Sequence, residues 1–266
     1  MRHLLTILVI LATPLLLVAQ SDYSSARTLG EETARGIVYT SETAYNLRLH
    51  TNGYAFGVDI GKLRTYYSTR YLTFEFGEIR HPKETRMSND YAGLQGTVSR
   101  PFRFGKQNNL FVLRGGVGEK RYFTEKARRK GVSVGMSYSA GPTIGLLKPY
   151  YLELYLSPDE QRPQSARYTE ENASIFLDDF LIYGGSGVTK GIGETTIRPG
   201  GFIKAALHLD WGAFDKHVKA VEAGFMADIF LQRVPILVER PDLDLLSENR
   251  SFFINFFVNI QLGVRK

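Results

Sequence analysis

The sequence predicts an all-β fold, a closed antiparallel transmembrane β-barrel, and three observations support this prediction. The final segment, residues 251–266, alternates between apolar and polar side chains. The first residues have the pattern of an export signal, and no later apolar run reaches the ~20 residues that a transmembrane helix needs. Only helices and closed barrels satisfy their backbone hydrogen bonds within hydrocarbon, so an exported membrane protein without such a helix is expected to be a barrel.

In the final segment every second residue from Phe252 to Val264 is apolar. Alternate side chains of a strand point to opposite faces, so we expect Phe256 to face lipid and Asn255 and Asn259 to face the interior. About 13 residues extend over roughly 40 Å, which crosses a bilayer at a tilt of ~45°. A strand of a soluble sandwich would alternate in the same way, so the rest of the chain must decide.

The N-terminus is typical of a secreted or envelope protein. Two basic residues precede an apolar run at 4–18, which is short for a spanning helix and is followed by Ala19 and Gln20. We predict a cleaved signal peptide at 1–20, a flexible N-terminal segment at 21–42, and an outer-membrane barrel at 43–266. An apolar anchor that is retained is the alternative for the first segment.

The composition is compatible with a barrel. Hydrophobic residues make up 43% of the chain and the mean hydropathy is −0.17, values that a barrel can show because half of each strand faces a polar interior. The chain has no cysteine, which excludes a disulfide framework and lipid attachment at a cysteine. The net charge of +6 is scattered along the chain, so we expect contact with outer-membrane lipid and no nucleic-acid partner.

Further segments with a period of two residues precede the final one. Asn52-Gly53 separates the first two, which predicts a hairpin, although the apolar positions change from odd to even there and a bulge within one long strand fits as well. Because single-chain bacterial barrels have an even number of strands, we predict eight, with ten as the alternative. Gly141-Pro142 predicts a turn or bend. The segments are 45–49, 54–60, 71–79, 110–118, 132–138, 150–156, 201–211 and 221–231.

The connections between these segments differ in length. If the last strand ends in the periplasm, the short turn at 212–216 is periplasmic and the long connections at 158–199 and 232–250 are extracellular, an asymmetry typical of outer-membrane barrels. The connection at 80–107 would then lie on the periplasmic side, where it is too long for this rule.

The polar faces of two adjacent segments carry a cluster of ionisable side chains. With the hairpin centred near Phe214, Lys204 would lie diagonally from Glu222 and His208 near Ala220. Because buried charges must be paired, we interpret the cluster as a charge-satisfied barrel interior. The candidate interior polar cluster consists of Lys204, His208, Asp210, Glu222 and Asp228.

A barrel enzyme is the alternative interpretation of this cluster. His208 would act as a base, Asp210 or Asp228 would orient it, and a serine would be the nucleophile. No serine lies on the interior face of these two strands, and the histidines lack the spacing of zinc ligands. We therefore predict no catalytic residue, no cofactor and no metal site.

Several motifs resemble those of a known family. The proposed signal peptide ends in Ala-Gln, and later motifs read L-H-T-N-G-Y-A-F-G at 49–57, E-I-R-H-P-K-E at 78–84 and G-L-L-K-P-Y-Y-L-E at 145–153. Together they resemble a family of small outer-membrane β-barrel proteins from Bacteroidota-type bacteria. The resemblance covers most of the chain after the signal peptide. It implies a fold and a location, and no catalytic residues.

An eight-stranded barrel is filled by its own side chains and forms no pore. We therefore expect a non-enzymatic integral outer-membrane protein, a structural or accessory subunit of an envelope secretion or assembly complex. Its partners would be outer-membrane lipid and other outer-membrane or periplasmic proteins. The alternatives are a small transport channel and an enzyme acting on lipid or peptide.

Overall fold

The computed structural model describes residues 39–88, 100–124, 131–156, 162–213, 215–239 and 249–266. The predicted signal peptide and most of the predicted N-terminal segment lie outside these residues. In chain order the strands are β1 (Ser41–His50), β2 (Gly53–Thr65), β3 (Ser68–Ile79), β4 (Arg86–Met87), β5 (Phe102–Arg103), β6 (Asn108–Tyr122), β7 (Ser133–Pro149), β8 (Tyr151–Leu154), β9 (Gln164–Arg167), β10 (Ile182–Gly185), β11 (Thr196–Asp210), β12 (His217–Phe230) and β13 (Phe252–Arg265).

Eight of these strands form one closed antiparallel barrel in the order β1-β2-β3-β6-β7-β11-β12-β13. The last strand returns to the first, with Tyr45 opposite Leu262 and Leu49 opposite Val258. Closure leaves no unpaired strand edge in the barrel. The predicted fold class and the strand number of eight are confirmed, and the alternative of ten strands is wrong. No helix in the described ranges is long and apolar enough to cross a bilayer.

The Asn52-Gly53 signal marks a tight hairpin between β1 and β2. His50 pairs with Gly53 and Leu49 with Tyr54, so a two-residue turn at 51–52 joins the strands. Residues that pair across such a turn have one odd and one even number. The outward apolar positions must therefore change from odd numbers in β1 to even numbers in β2. The bulge interpretation is therefore wrong. Gly53 has φ of 151°, and a Cβ there would lie 2.1 Å from the Glu78 carbonyl oxygen, so only glycine fits.

The sequence predicted a turn or bend at Gly141-Pro142. A turn is excluded there, because both residues lie inside β7. The β6–β7 ladder is interrupted at this level, between the pairs Arg114–Thr143 and Val117–Ala140. Proline has no N–H to donate, so it fits at an interruption of the ladder. Gly141 makes room for the facing strand, since a Cβ on it would lie 2.2 Å from the Gly115 carbonyl oxygen.

The barrel has its apolar side chains outside and its polar side chains inside. In β13 the Phe256 side chain is 65% exposed whereas Asn255 and Asn259 are fully buried, the arrangement that the alternation predicted. Every barrel strand contributes to the outer apolar surface. One exposed residue from each strand, in chain order, is Leu47, Phe56, Phe74, Leu113, Ile144, Ile203, Phe225 and Phe256.

The connections fall into two sets at opposite ends of the barrel. The turn end carries 66–67, 123–132 and 211–216, together with the start of β1 and the end of β13. The loop end carries 51–52, 80–107, 150–195 and 231–251. Because antiparallel strands alternate in direction, 80–107 lies at the same end as the other long connections. The expectation that it lies with the short turns is wrong. It counted 132–138 and 150–156 as two barrel strands, whereas β7 is one strand over Ser133–Pro149 and β8 belongs to a separate sheet.

The loop end carries a small folded unit, which we call the cap and define as the described residues of 80–107 and 150–195. It contains the three-stranded sheet β10-β8-β9 and the pair β4-β5. The predicted strand at 150–156 is therefore part of the cap. The described residues of the long connection predicted at 158–199 contain β9, β10, a short helix, α1 (Ala173–Phe176), and the first residues of β11. The buried core of the cap consists of Phe102, Leu152, Leu154, Phe176 and Ile182.

A second segment from the long connections closes the barrel at this end. We call residues 233–238 the seal. The backbone N–H groups of Gln107 and Asn108 donate to the Ile236 carbonyl at 2.9 and 3.2 Å, and Val238 N–H donates to Gly105 at 2.9 Å. Val234 and Ile236 are fully buried against apolar side chains of the barrel. Those barrel side chains are Ile79, Leu110, Val112, Leu147, Phe230 and Phe253.

Candidate functional site

The five residues of the candidate interior cluster all lie inside the barrel and are buried. Their pairing differs from the sequence prediction. Asp210 faces Ala220, so the hairpin is centred one residue later than predicted, and His208 faces Glu222. Lys204 lies opposite Met226 and contacts Glu75 of β3 across the interior. The cluster is therefore part of a network that extends around the barrel.

One half of this network surrounds the carboxylate of Glu75. The Arg48 guanidinium lies 2.5 Å from it and the Lys204 ammonium 2.9 Å. Arg114 lies 3.7 Å from the same carboxylate and makes a two-pronged contact with Asp228, at 2.7 and 2.8 Å. We call these residues the central charge cluster. Each charge has an opposite charge beside it, which buried ions require.

The other half lies towards the turn end. Glu42 accepts from Lys120 and from Arg265, each at 2.8 Å. Arg265 also donates to Asp210 at 2.8 Å, and the Tyr122 hydroxyl donates to the same carboxylate at 3.0 Å. Since Arg265 is the last residue of β13, this contact ties the end of the final strand to the β11–β12 hairpin.

His208 joins this turn-end group to Glu222. Its Nδ1 lies 3.1 Å from a Glu222 carboxylate oxygen and its Nε2 lies 3.3 Å from the Tyr122 hydroxyl. Both ring nitrogens of His208 therefore have a polar neighbour, and the imidazole lies between Glu222 and Tyr122.

The charges of the described barrel interior nearly balance. The inward carboxylates of the described barrel strands number six and the inward Lys and Arg side chains number five, so their net charge is −1. The carboxylates are Glu42, Asp59, Glu75, Asp210, Glu222 and Asp228, and the cations are Arg48, Arg114, Lys120, Lys204 and Arg265.

The sequence reasoning missed most members of this network. Arg48 alternates with Leu47 and Leu49, and Glu75 alternates with Phe74 and Phe76, so the period of two residues already placed both on an inner face. That pattern could have identified the inward charges on every strand. Which charge meets which across the interior depends on strand order and register, which alternation does not determine.

A separate polar site lies outside the barrel, between its wall and the cap. It is a cavity of about 500 Å³, which we call the basic cleft. The barrel side is formed by Tyr54 and Phe111, and the cap side by Tyr150, Tyr151 and the glycine-rich stretch 185–187. The charged side chains that line it are Glu78, Arg80, Arg100, Arg103, Lys148 and Lys190.

The side chains of the basic cleft are held by a few specific contacts. Arg80 donates to Glu78 at 2.8 Å and lies over the Tyr54 ring, 5.7 Å from its centroid. Lys190 donates to the Ser165 hydroxyl at 2.6 Å, and that hydroxyl lies 2.9 Å from the Ser186 hydroxyl. The cap thus supplies ammonium, guanidinium and hydroxyl donors to one concave surface.

Beside the cleft a buried ion pair fixes the cap strands. Lys106 and Arg103 both contact Glu84, Arg103 at 3.1 Å. Burial lowers the pKa of Lys106, an effect that the neighbouring Glu84 carboxylate opposes. Among the described residues no group of His, Cys, Asp and Glu could hold a metal ion.

The fold and its polarity define a closed eight-stranded barrel with a charged interior and an apolar outer wall. No family model and no curated protein matches the chain. Among solved structures, the N-terminal β-barrel domain of Pseudomonas aeruginosa OprF is 10% identical, with 86% of this chain and 98% of that chain covered and a TM-score of 0.34.

Two further solved structures are similar at the same level. The Ail attachment invasion locus protein of Yersinia pestis is 8% identical, with 85% of this chain and 95% of that chain covered and a TM-score of 0.35. Neisserial surface protein A is 6% identical, with 85% and 93% covered and a TM-score of 0.31. Similarity this low carries no argument about function, which therefore rests on the geometry of the chain.

Proposed function

We propose that this chain is a non-enzymatic, non-conducting outer-membrane barrel that serves as a structural or accessory subunit of an envelope secretion or assembly complex. In this proposal the barrel anchors the protein in the bilayer and the cap contacts other envelope proteins. Membership of the Bacteroidota-type family of small barrels, which the motifs at 49–57, 78–84 and 145–153 resemble, is part of the same proposal.

The outer wall supports location in a membrane. Exposed Phe, Leu, Ile and Val side chains surround the barrel on all eight strands. Soluble monomers rarely expose contiguous apolar patches above a few hundred Å², whereas a transmembrane barrel presents an apolar band about 25 Å tall to lipid. The exported N-terminus predicted from the sequence agrees with the outer membrane of a bacterium.

The closed interior carries the proposal of a non-conducting subunit. The central charge cluster fills the lumen with paired, fully buried side chains, Arg48 and Glu75 among them. The seal covers the loop end with apolar residues. A channel needs a continuous polar path that water can fill, and the described interior offers paired ions and an apolar layer instead.

The surface of the cap supports a role in protein contact. Phe180 is 82% exposed, Val188 84% and Ile192 61%, so the cap presents apolar side chains to solvent. Contiguous exposed apolar surface is typical of interaction sites. In this proposal the three side chains contribute to such a surface for an envelope protein partner.

The first test is conductance across a planar bilayer. The refolded chain should insert and produce no discrete current steps, and a porin inserted under the same conditions serves as the positive control. Steps of defined size from the refolded chain would favour the small transport channel over the subunit proposal.

The second test concerns the partner. A tagged chain should co-purify with the same envelope protein after cross-linking in its native membrane, and a double variant, Phe180→Ser with Val188→Ser, should retain the barrel and lose that protein. If the variant retains the partner fully, the cap is not the contact surface. If the native chain retains no partner in repeated purifications, the subunit proposal is wrong.

A further inference from the structure

We infer that the basic cleft binds the phosphate of an anionic lipid headgroup, with an acyl chain of the same lipid lying in a groove on the barrel wall. The inference rests on the proposed membrane location and goes beyond it, because it assigns a specific lipid site to one sector of the barrel. It is carried by the charges of the cleft, by donors that lack a partner, and by the position of the cleft at the border of the apolar wall.

The charge of the cleft favours an anion. Five cations and one carboxylate line it, so its formal charge is +4. Arg80 shares its charge with Glu78, and Arg103 shares its charge with Glu84. Arg100, Lys148 and Lys190 make no ion pair with the described residues. Cations gathered in one concave surface without matching carboxylates are expected to attract phosphate.

Several donors in the cleft have capacity left for a ligand. The Arg80 Nε atom is buried and has no hydrogen-bond partner among the described residues. The hydroxyls of Ser165 and Ser186 carry two protons, and the hydrogen bond between them uses one. Lys190 donates its own proton to Ser165, so the second hydroxyl proton is left for a ligand. That proton can point into the cleft from Ser186, which lines it. A phosphate oxygen accepts from such donors.

The cleft opens where the apolar wall begins. Tyr54 and Phe111 form its barrel side, and each contacts the next aromatic residue along the wall. The Tyr54 ring lies 5.8 Å from the Phe56 ring, and the Phe111 ring stacks on Phe76 at 5.9 Å. Tyrosine is enriched where hydrocarbon meets headgroups, so the cleft lies at the height of lipid phosphate if Phe56 and Phe76 lie in hydrocarbon.

A groove on the outer wall continues from these aromatic residues. It encloses about 720 Å³, and its lining includes Phe56, Phe76, Leu113, Ile144 and Gly115. Gly115 places no side chain on the wall, and a Cβ there would have only the Phe74 ring near it, at 3.8 Å. An apolar groove beside a cationic cleft fits a molecule with a hydrocarbon chain next to a phosphate.

A lipid uses both parts of this surface, whereas free phosphate would use only the cleft. The probe that tests the inference is therefore phosphatidylglycerol, compared with phosphatidylcholine of the same acyl chains, bound to the detergent-purified barrel and counted by native mass spectrometry. We expect retention of at least one phosphatidylglycerol under conditions that remove phosphatidylcholine. Ten millimolar inorganic phosphate should fail to displace it.

The variant Arg100→Gln with Lys190→Gln removes two exposed cations of the cleft that hold no barrel strand. Each basic residue near an anionic lipid surface contributes a factor of about five, so retention should fall about 25-fold. The matched control is Lys83→Gln with Arg162→Gln, which removes two exposed cations at the same end of the barrel that do not line the cleft. It should retain phosphatidylglycerol like the native chain.

Each outcome bears on the inference. An equal loss in both double variants would show general attraction by surface charge and overturn the site, as would equal retention of phosphatidylglycerol and phosphatidylcholine by the native chain. Complete displacement by inorganic phosphate would show that the cleft binds a free anion, and it would overturn the inference that the ligand is a lipid. Membrane insertion and conductance are measured separately. A barrel that inserts, conducts no current and shows no preference for phosphatidylglycerol would refute this inference and leave the proposed function intact.

Discussion

The middle of the barrel and the cap bury opposite kinds of side chain. In the barrel Arg48 is 1% exposed and Phe256 is 65% exposed, whereas in the cap Phe176 is fully buried and the Arg167–Glu194 pair lies at the surface. The middle of the barrel therefore buries charged side chains and exposes apolar ones, and the cap does the reverse at these residues. The difference agrees with the proposed membrane location, in which lipid surrounds the barrel and water surrounds the cap. In that proposal the border between the two lies near the basic cleft.

The two cores are also held by different forces. The cap core is apolar and gains stability from removing hydrocarbon surface from water. Below the seal, the barrel interior gains less in that way, because its side chains there are mostly polar or charged and must be paired to offset their lost hydration. We therefore expect the same type of substitution to change stability by very different amounts in the barrel and in the cap.

The largest expected effect is the loss of the carboxylate at the centre of the barrel. Glu75→Gln keeps the size of the side chain and leaves Arg48 and Lys204 without their shared anion. Breaking a buried ion pair costs about 3–5 kcal/mol, so the unfolding midpoint in detergent should fall strongly. The measurement is the heat-dependent shift in gel mobility across a urea series, which follows closure of the barrel.

The matched control is the same substitution in the cap. Glu194→Gln removes the acid that contacts Arg167 at 2.5 Å, and both side chains are largely exposed. An exposed pair contributes about 0–1 kcal/mol, so barrel and cap should be nearly unchanged. Equal losses in the two variants would mean that the interior of the barrel is hydrated like a surface, contrary to the arrangement described above.

A smaller effect is expected on the outer surfaces. Phe256→Arg places a charge on the barrel wall and should cost about 2–4 kcal/mol in lipid vesicles if the residue lies near the bilayer midplane. Phe180→Arg makes the same change at an exposed site of the cap and should fall within about 0.5 kcal/mol of the native chain. The folded fraction in vesicles across a denaturant series measures both.

These two variants test which surfaces of the protein lie against hydrocarbon and which lie against water. If Phe180→Arg costs as much as Phe256→Arg, the cap also lies against hydrocarbon. If Phe256→Arg is tolerated, water surrounds the barrel wall and the proposed membrane location is wrong.

The barrel could be predicted from the sequence because its rule is local. Alternation in β13 assigned Phe256 to the outside and Asn255 and Asn259 to the inside without reference to any other strand, and the structure agrees. The number of strands came from the rule of even numbers and was right although two assignments were wrong. The segment 45–60 forms two barrel strands, and 132–156 contributes only one, β7. The turn wrongly predicted at Gly141-Pro142 shows the limit of local signals, since there a facing strand accommodates the proline.

The cap and the charge network could not be predicted in this way. Phe102 and Phe176 meet in one core although they are distant in sequence, and no short pattern connects them. Likewise Glu75 meets Lys204 across the interior only because β3 and β11 belong to one closed sheet. Contacts of this kind depend on strand order, register and the course of long connections, which a single sequence does not determine.

The smallest expected effect concerns a titrating residue outside the barrel strands, His81 in the connection that follows β3. Its Nδ1 accepts the backbone N–H of Lys83 at 3.2 Å, which requires a free lone pair. Burial lowers the pKa of His81 from its ordinary value near 6.5; Glu84 opposes this shift, and the positive charges of Arg250 and Lys83 add to it.

The lowered pKa gives the pH dependence a definite sign. Below pH 6.5 the unfolded segment takes up a proton that the folded segment resists, so stability is lost as the pH falls from about 6.5 towards the folded pKa, and it is fully present above that window. Hydrogen exchange at 80–88, corrected for the intrinsic rate, should show less protection at pH 5 than at pH 7.5, while the barrel strands stay unchanged. His81→Asn supplies an acceptor without a titrating group and should abolish the difference. If this variant loses protection at acid pH as the native chain does, the dependence comes from Glu84 and its partners, and His81 is not its source.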